Sequence, residues 1–134
     1  MNFRKGPAGH HVHEVCQVPK SKAVICPTVG WFKDFTDPES MLEPTFDGKA
    51  IKPAGNVNYS QLDVPKIMDA MTEASLLSGP ARTKAWADIN KMIVAQATGI
   101  PFIWDDAFQL ESSDMNAVMS SYSTTWDLSF ASVK

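Results

Sequence analysis

The sequence predicts a mixed α/β fold, and three observations carry that expectation. Apolar, β-branched runs stand at "AVICPTVGW" and "IPFIW", which is the composition of buried strands. Between them lie two stretches with apolar residues at helical spacing. The order is therefore strand, long loop, two helices and then strands, as in a layered α-and-β domain. With 134 residues, the chain is long enough for one modest domain and too short for two.

The elements follow in order. From Met1 to Cys26 the sequence reads as mostly irregular, with a short strand at Asn2 to Arg4. Ala23 to Trp31 reads as a strand, with Pro27 marking a bulge or an edge position. Lys33 to Leu62 is rich in Pro, Gly, Asn and Asp. It reads as a long loop with one helical turn around Pro38 to Leu42. A loop of that length in a compact domain is usually functional or packed against something else. The first helix starts after Asp63 as cap, with Pro65 in its first turn and Ile67, Met68, Met71 and Ala74 on one face. The second runs from about Pro80 to Thr98, with Ala85, Ile89, Met92 and Ile93 as its stripe and Trp86 beside it. Gly99 supplies a left-handed cap and Pro101 prevents continuation. Ile100 to Ala107 reads as a strand, "SSDMNAVMSSYSTT" as a polar loop, and Trp126 to Val133 as a last strand.

Composition excludes several classes of function. Hydrophobic residues make up 44% and charged residues 20%, the balance of a globular chain and not of a disordered one. Net charge is −3 with no Lys/Arg cluster, which argues against nucleic acid and anionic membrane surfaces as partners. No apolar run approaches the roughly 18–20 residues of a membrane span. The first residues lack the apolar middle segment and the cleavage site of a signal peptide, which taken alone suggests the cytosol.

Cys16 and Cys26 flank "QVPKSKAVI", whose Pro19 and charged KSK read as a turn. Either the turn brings the two sulfurs within bonding range, or they are two unrelated thiols. Spacing does not choose between these, and compartment would.

The search for chemistry is mostly negative. His10, His11, His13, Glu14 and Cys16 in "GHHVHEVC" are good zinc or copper ligand types. Their spacing fits no closed four-ligand signature, so a solvated loop without metal is the better reading, and a small metal-binding protein or metal-dependent enzyme using His10, His11 and His13 is the rival of another class. There is no G-x-S-x-G elbow, no H-E-x-x-H helix and no Gly-rich phosphate loop. Asp105 and Asp106 are adjacent, so a strand would send them to opposite faces, where they cannot work as a pair. Trp86 and Trp104 read as packing residues. No catalytic residue and no cofactor is expected. The segment "GWFKDFTDP" remains. There Asp34 either points into a cavity walled by Trp31 or Phe32, where only a cation would make its burial tolerable, or it joins Asp37 in capping the turn before Pro38.

Three pieces in order resemble the C-terminal part of the family 5 extracellular solute-binding proteins, the peptide-binding receptors of bacterial ABC importers. They are "GWFKDFTDPESMLEPTF", "GNVNYSQLDVPKIMDAMTEA" and "PARTKAWADINKMIVAQATGIPFIW". The tail "TWDLSF" and the pair Cys16 and Cys26 are similar to a subgroup of these receptors. The resemblance implies part of the C-terminal lobe of a two-lobed, periplasmic-binding-protein type II-like fold. Residues 1–134 would form one partial domain, with residues 1–22 as a poorly matching edge. It implies that Asp34 pairs with the α-amino group of a bound peptide while Trp31 and Phe32 help wall the cleft. Asn58 and Tyr59 receive no assigned contact. It implies a periplasmic or extracellular setting, where Cys16 and Cys26 would be oxidised. An ABC permease would be the partner of the complete receptor, and a missing N-terminal anchor its only link to the membrane. Relatives also take sugars, nickel complexes or opines, so the ligand class stays open.

Overall fold

A computed structural model describes residues 12–27, 29–101, 109–120 and 125–134. The chain divides into two compact units, Met1–Ile100 and Pro101–Lys134. Among the described residues no helix is long and apolar enough to cross a membrane.

The first unit is built on a helical hairpin. Helix α2 spans Pro65–Ser75 and α3 spans Gly79–Val94, after a shorter α1 at Glu39–Phe46. Ile67, Met71 and Ala74 recur at i, i+4 and i+7 on α2, and Trp86, Ile89 and Ile93 at i, i+3 and i+7 on α3. Facing one another, these stripes and Leu62 make the core, flanked by Leu42, Phe46, Val64, Ala70, Ala85 and Met92. Fully burying one such side chain contributes about 1.5–3 kcal/mol, so the hairpin holds most of this unit's apolar stabilisation.

The helix ends differ from the sequence reading. The cap of α2 is Val64, extended at φ −115° and ψ 107°, with no side-chain cap bond. Asp63 is therefore not the cap. Pro65 explains this: its fixed φ suits the first helical position and forces the residue before it to be extended. Gly79 turns the chain from α2 into α3 with φ +56°, a conformation that costs glycine little. At the far end α3 stops at Val94, and the left-handed residue is Ala97 at φ +53°, not Gly99. The helix ends where burial ends: Ile93 is its last core residue, and residues 94–97 are exposed.

Expectations for the preceding segments also change. The single helical turn grows into α1, which contains Pro44. Residues 48–50 form a 3-10 turn whose cap, Asp47, accepts from the Lys49 backbone N–H at 2.8 Å. A Cβ on Gly48 would collide with the Asp63 carboxylate and Met68 Sδ, so the loop packs directly onto the start of α2. The run from Ala23 to Trp31 forms no strand among its described residues, and Val24 and Ile25 are 89% and 69% exposed. An apolar run becomes a strand only when an edge pairs it, and this run pairs with none among the described residues.

Cys16 and Cys26 form a disulfide, with their Cα atoms 5.8 Å apart. The segment between them carries a 3-10 turn at Pro19–Ser21 and a left-handed Lys22, as the Pro-Lys-Ser-Lys run leads one to expect. Closing so short a loop stabilises the fold by about 2–3 kcal/mol, chiefly by restricting the unfolded chain.

In the second unit β1, Met115–Asn116, pairs antiparallel with β2, Ser132–Val133, with Met115 opposite Val133. Met119 and Trp126 add an isolated bridge. The expected last strand is thus reduced to its two ends, because Asp127 turns the chain by accepting at Oδ1 from the Ser129 N–H, 3.2 Å. Its partner strand lies in the stretch read as loop. Strands of two residues are too short to show a period of two. The strands expected at Asn2 to Arg4 and over most of Ile100 to Ala107 lie outside the described residues, as do His10, His11, Trp104, Asp105 and Asp106.

Candidate functional site

The segment around Trp31, Phe32 and Asp34 has no helix or strand of its own, so its shape depends on anchors at its ends. The first anchor comes from a proline. Pro44 lies inside α1 and has no N–H to give to the carbonyl four residues earlier, that of Ser40. The indole Nε1–H of Trp31 donates to that oxygen at 3.0 Å. A helix defect and an aromatic side chain thereby complete one another, and Trp31 is half-buried as a result.

The second anchor is Asp37. Its Oδ1 accepts from the Glu39 backbone N–H at 2.9 Å, so it closes the start of α1. The buried Ser40 hydroxyl bonds the carbonyls of Phe35 and Asp37 at 3.0 and 2.9 Å, tightening the same turn. Asp37 also takes a forked pair from Arg82 of α3: Nε to Oδ2 at 2.7 Å and Nη2 to Oδ1 at 3.0 Å. Arg82 Nη2 also donates to Glu39. Its Nη1 closes the end of α2, donating to the carbonyls of Ala74 and Ser75 at 3.0 Å each. Every N–H of the guanidinium has an acceptor, and its carbon lies 5.8 Å from the centre of the Trp86 ring. The Arg82 hydrogen bonds hold the Asp37 carboxyl below its ordinary range, and the two carboxylates push the arginine further up. Burial, and then Glu39, raise Glu43.

Against this frame Asp34 stands apart. It is exposed and has no hydrogen-bond or ion-pair partner among the described residues. Phe32 is 82% exposed and Phe35 is 55% exposed. The cavity expected around Asp34 is therefore not closed by Trp31 and Phe32: one is turned toward α1 and the other stands in the open. Of the two capping carboxylates considered, only Asp37 caps.

Sequence reasoning missed the Asp37–Arg82 fork. The residues are 45 positions apart, and the signal available was an unpaired arginine opening a helix that lacks an acidic first turn. Asn58 is fully buried and structural. Its Nδ2 donates to the carbonyls of Asp47 and Leu62 at 3.1 and 2.9 Å, and its Oδ1 accepts from the Leu62 N–H at 3.1 Å and the Ser60 hydroxyl at 3.0 Å. Asn56, also fully buried, donates to the Asn58 carbonyl at 2.7 Å. This amide pair replaces regular structure in the loop between α1 and α2. Among the described residues no group of three His, Cys, Asp or Glu side chains has metal-site geometry.

No protein-family model matches the chain, and no curated protein matches it. A solved structure does: "Clavulanic acid biosynthesis oligopeptide binding protein 2", with a TM-score of 0.76 and 20% identity. The match covers 93% of this chain and 24% of that one. The chain thus has the fold of a part of an oligopeptide-binding protein, helix-rich and mixed, and spans about a quarter of that protein's length.

Proposed function

We propose that this chain is the part of a peptide-type solute receptor that carries the carboxylate for a ligand's ammonium group. Asp34 would take the α-amino group of a peptide, with Phe32 and Trp31 beside it. The observation that carries the reading is the division of labour among neighbouring acids. Asp37 and Glu39 are committed to Arg82, while Asp34 is exposed and uncommitted on a segment held at both ends. The fold shared with an oligopeptide-binding protein supports it, and so does the Cys16–Cys26 disulfide, which suits an oxidising compartment. In this reading the chain is a binding module and not an enzyme. Further chain supplies the opposite wall of the cleft and buries the ion pair, and an ABC permease receives the loaded receptor.

Removing one partner of a buried, hydrogen-bonded charge pair costs about 3–5 kcal/mol. In the full-length receptor, Asp34→Asn is therefore expected to weaken tri-alanine binding about a hundredfold or more by calorimetric titration. N-acetylated tri-alanine, which has no ammonium group, should bind the wild type as weakly as tri-alanine binds the variant. A loss below about threefold overturns the assignment.

A further inference from the structure

We propose that Arg82 is a positioning residue for the Trp31–Asp34 segment, working through Asp37 and Glu39. The inference rests on the reading of Asp34 given above. Between the Trp31 indole and Asp37 the chain has neither helix nor strand, so the place of Asp34 depends on the contacts that flank it, two of which tie the segment to the helices. One is the Ser40 carbonyl of α1. The other is a guanidinium that is itself immobilised, by the last carbonyls of α2 on one side and the Trp86 ring of the core on another. Arg82 thereby ties the exposed acidic segment to the most buried part of the hairpin. It also commits two carboxylates that would otherwise compete with Asp34 for a cation.

Charge and position predict opposite signs when Arg82 is removed. Deleting a positive charge near an ammonium site should tighten binding if bulk electrostatics governed it. Loss of positioning should weaken it. Lysine keeps the charge but cannot fork across a carboxylate while donating to carbonyls behind it. In the full-length receptor, Arg82→Lys and Arg82→Ala are both expected to weaken tri-alanine binding about tenfold or more. N-acetyl-tri-alanine should change by less than about threefold, which separates a misplaced Asp34 from general damage. Asp37→Asn keeps the cap acceptor and removes the charge. It serves if Arg82→Ala does not fold, and the same preferential loss is expected.

In this 134-residue chain, hydrogen exchange at the Trp31 indole gives an independent readout. It should speed up in Arg82→Lys by about tenfold relative to amides of α3. Should the wild type bind both peptides equally, the Asp34 reading fails, and the exchange result alone then decides whether Arg82 positions the segment. If Asp34→Asn abolishes the preference but Arg82→Lys keeps wild-type affinity, or the indole exchange does not change, the Arg82 inference is overturned and the Asp34 reading stands.

Discussion

Trp86→Ala is expected to destabilise the first unit by about 3–5 kcal/mol, the range for truncating a fully buried aromatic. Total stability for a domain of this size is about 5–15 kcal/mol, so the variant should be near the edge of folding. Trp86 is 1% exposed and is the largest of the fully buried side chains among the described residues. It shares one core cluster with Ile89 and Ile93 of its own helix and the stripe of α2. Among the described residues its indole N–H is buried with no hydrogen-bond partner, so this tryptophan contributes through buried area and its ring contact with Arg82 and carries the cost of a desolvated donor. That yields a second, sharper expectation. Trp86→Phe loses area but removes the orphaned donor, and it should cost less than about 2 kcal/mol. Urea unfolding of the three proteins, followed by helix signal, measures both. A phenylalanine as damaging as alanine would mean that the indole N–H has a partner after all.

Asn58 should be nearly as sensitive, for a different reason. Its side chain serves two carbonyls, one N–H and one hydroxyl in a fully buried position. Each group left unsatisfied costs about 1–3 kcal/mol. Because they relax together, Asn58→Ala should cost about 3–4 kcal/mol in all. Asn58→Asp has the same shape and is expected to be worse at pH 7. A carboxylate cannot donate to the Asp47 and Leu62 carbonyls, and the site would bury its charge. Burial raises that carboxyl's pKa, so the penalty is largest above the raised value and shrinks as pH falls through it. The gap between Asn58→Asp and wild type, measured by urea unfolding, should therefore narrow from pH 7 to pH 5. An unchanged gap would show that the aspartate is hydrated and that the loop opens to admit water.

The contrast between these two residues shows what was legible in the sequence. Trp86, Ile89 and Ile93 repeat at helical spacing, so α3 can be read locally, and α2 can be read in the same way. Caps were misplaced because Pro65 outranks Asp63 and because α3 stops with its burial, features that depend on neighbours in space. Asn58 shows no period at all: its role exists only once Asp47 and Leu62 meet. The Asp37–Arg82 fork is a tertiary fact, and no local pattern announces its partner. Pro44 is intermediate. A proline within a helical stretch signals a free carbonyl, but only the fold shows that Trp31 fills it. For the candidate site, the sequence indicated which segment holds the acids. It did not indicate that Asp37 and Glu39 would be committed and Asp34 left open.

The Arg82 contacts also predict an order in time. Its bonds to Ala74 and Ser75 span eight and seven residues, whereas its bond to Asp37 spans 45. Closing the longer loop costs more chain entropy, so the α2–α3 corner is expected to form from local encounters before the acidic segment docks on it. The two helices then act as a template on which the earlier-synthesised segment is later set. Amides of residues 33–37 should accordingly exchange by opening events far smaller than those exposing α3, as native-state hydrogen exchange would register. The acidic segment would thus be set on the hairpin after it forms and be released from it before it opens.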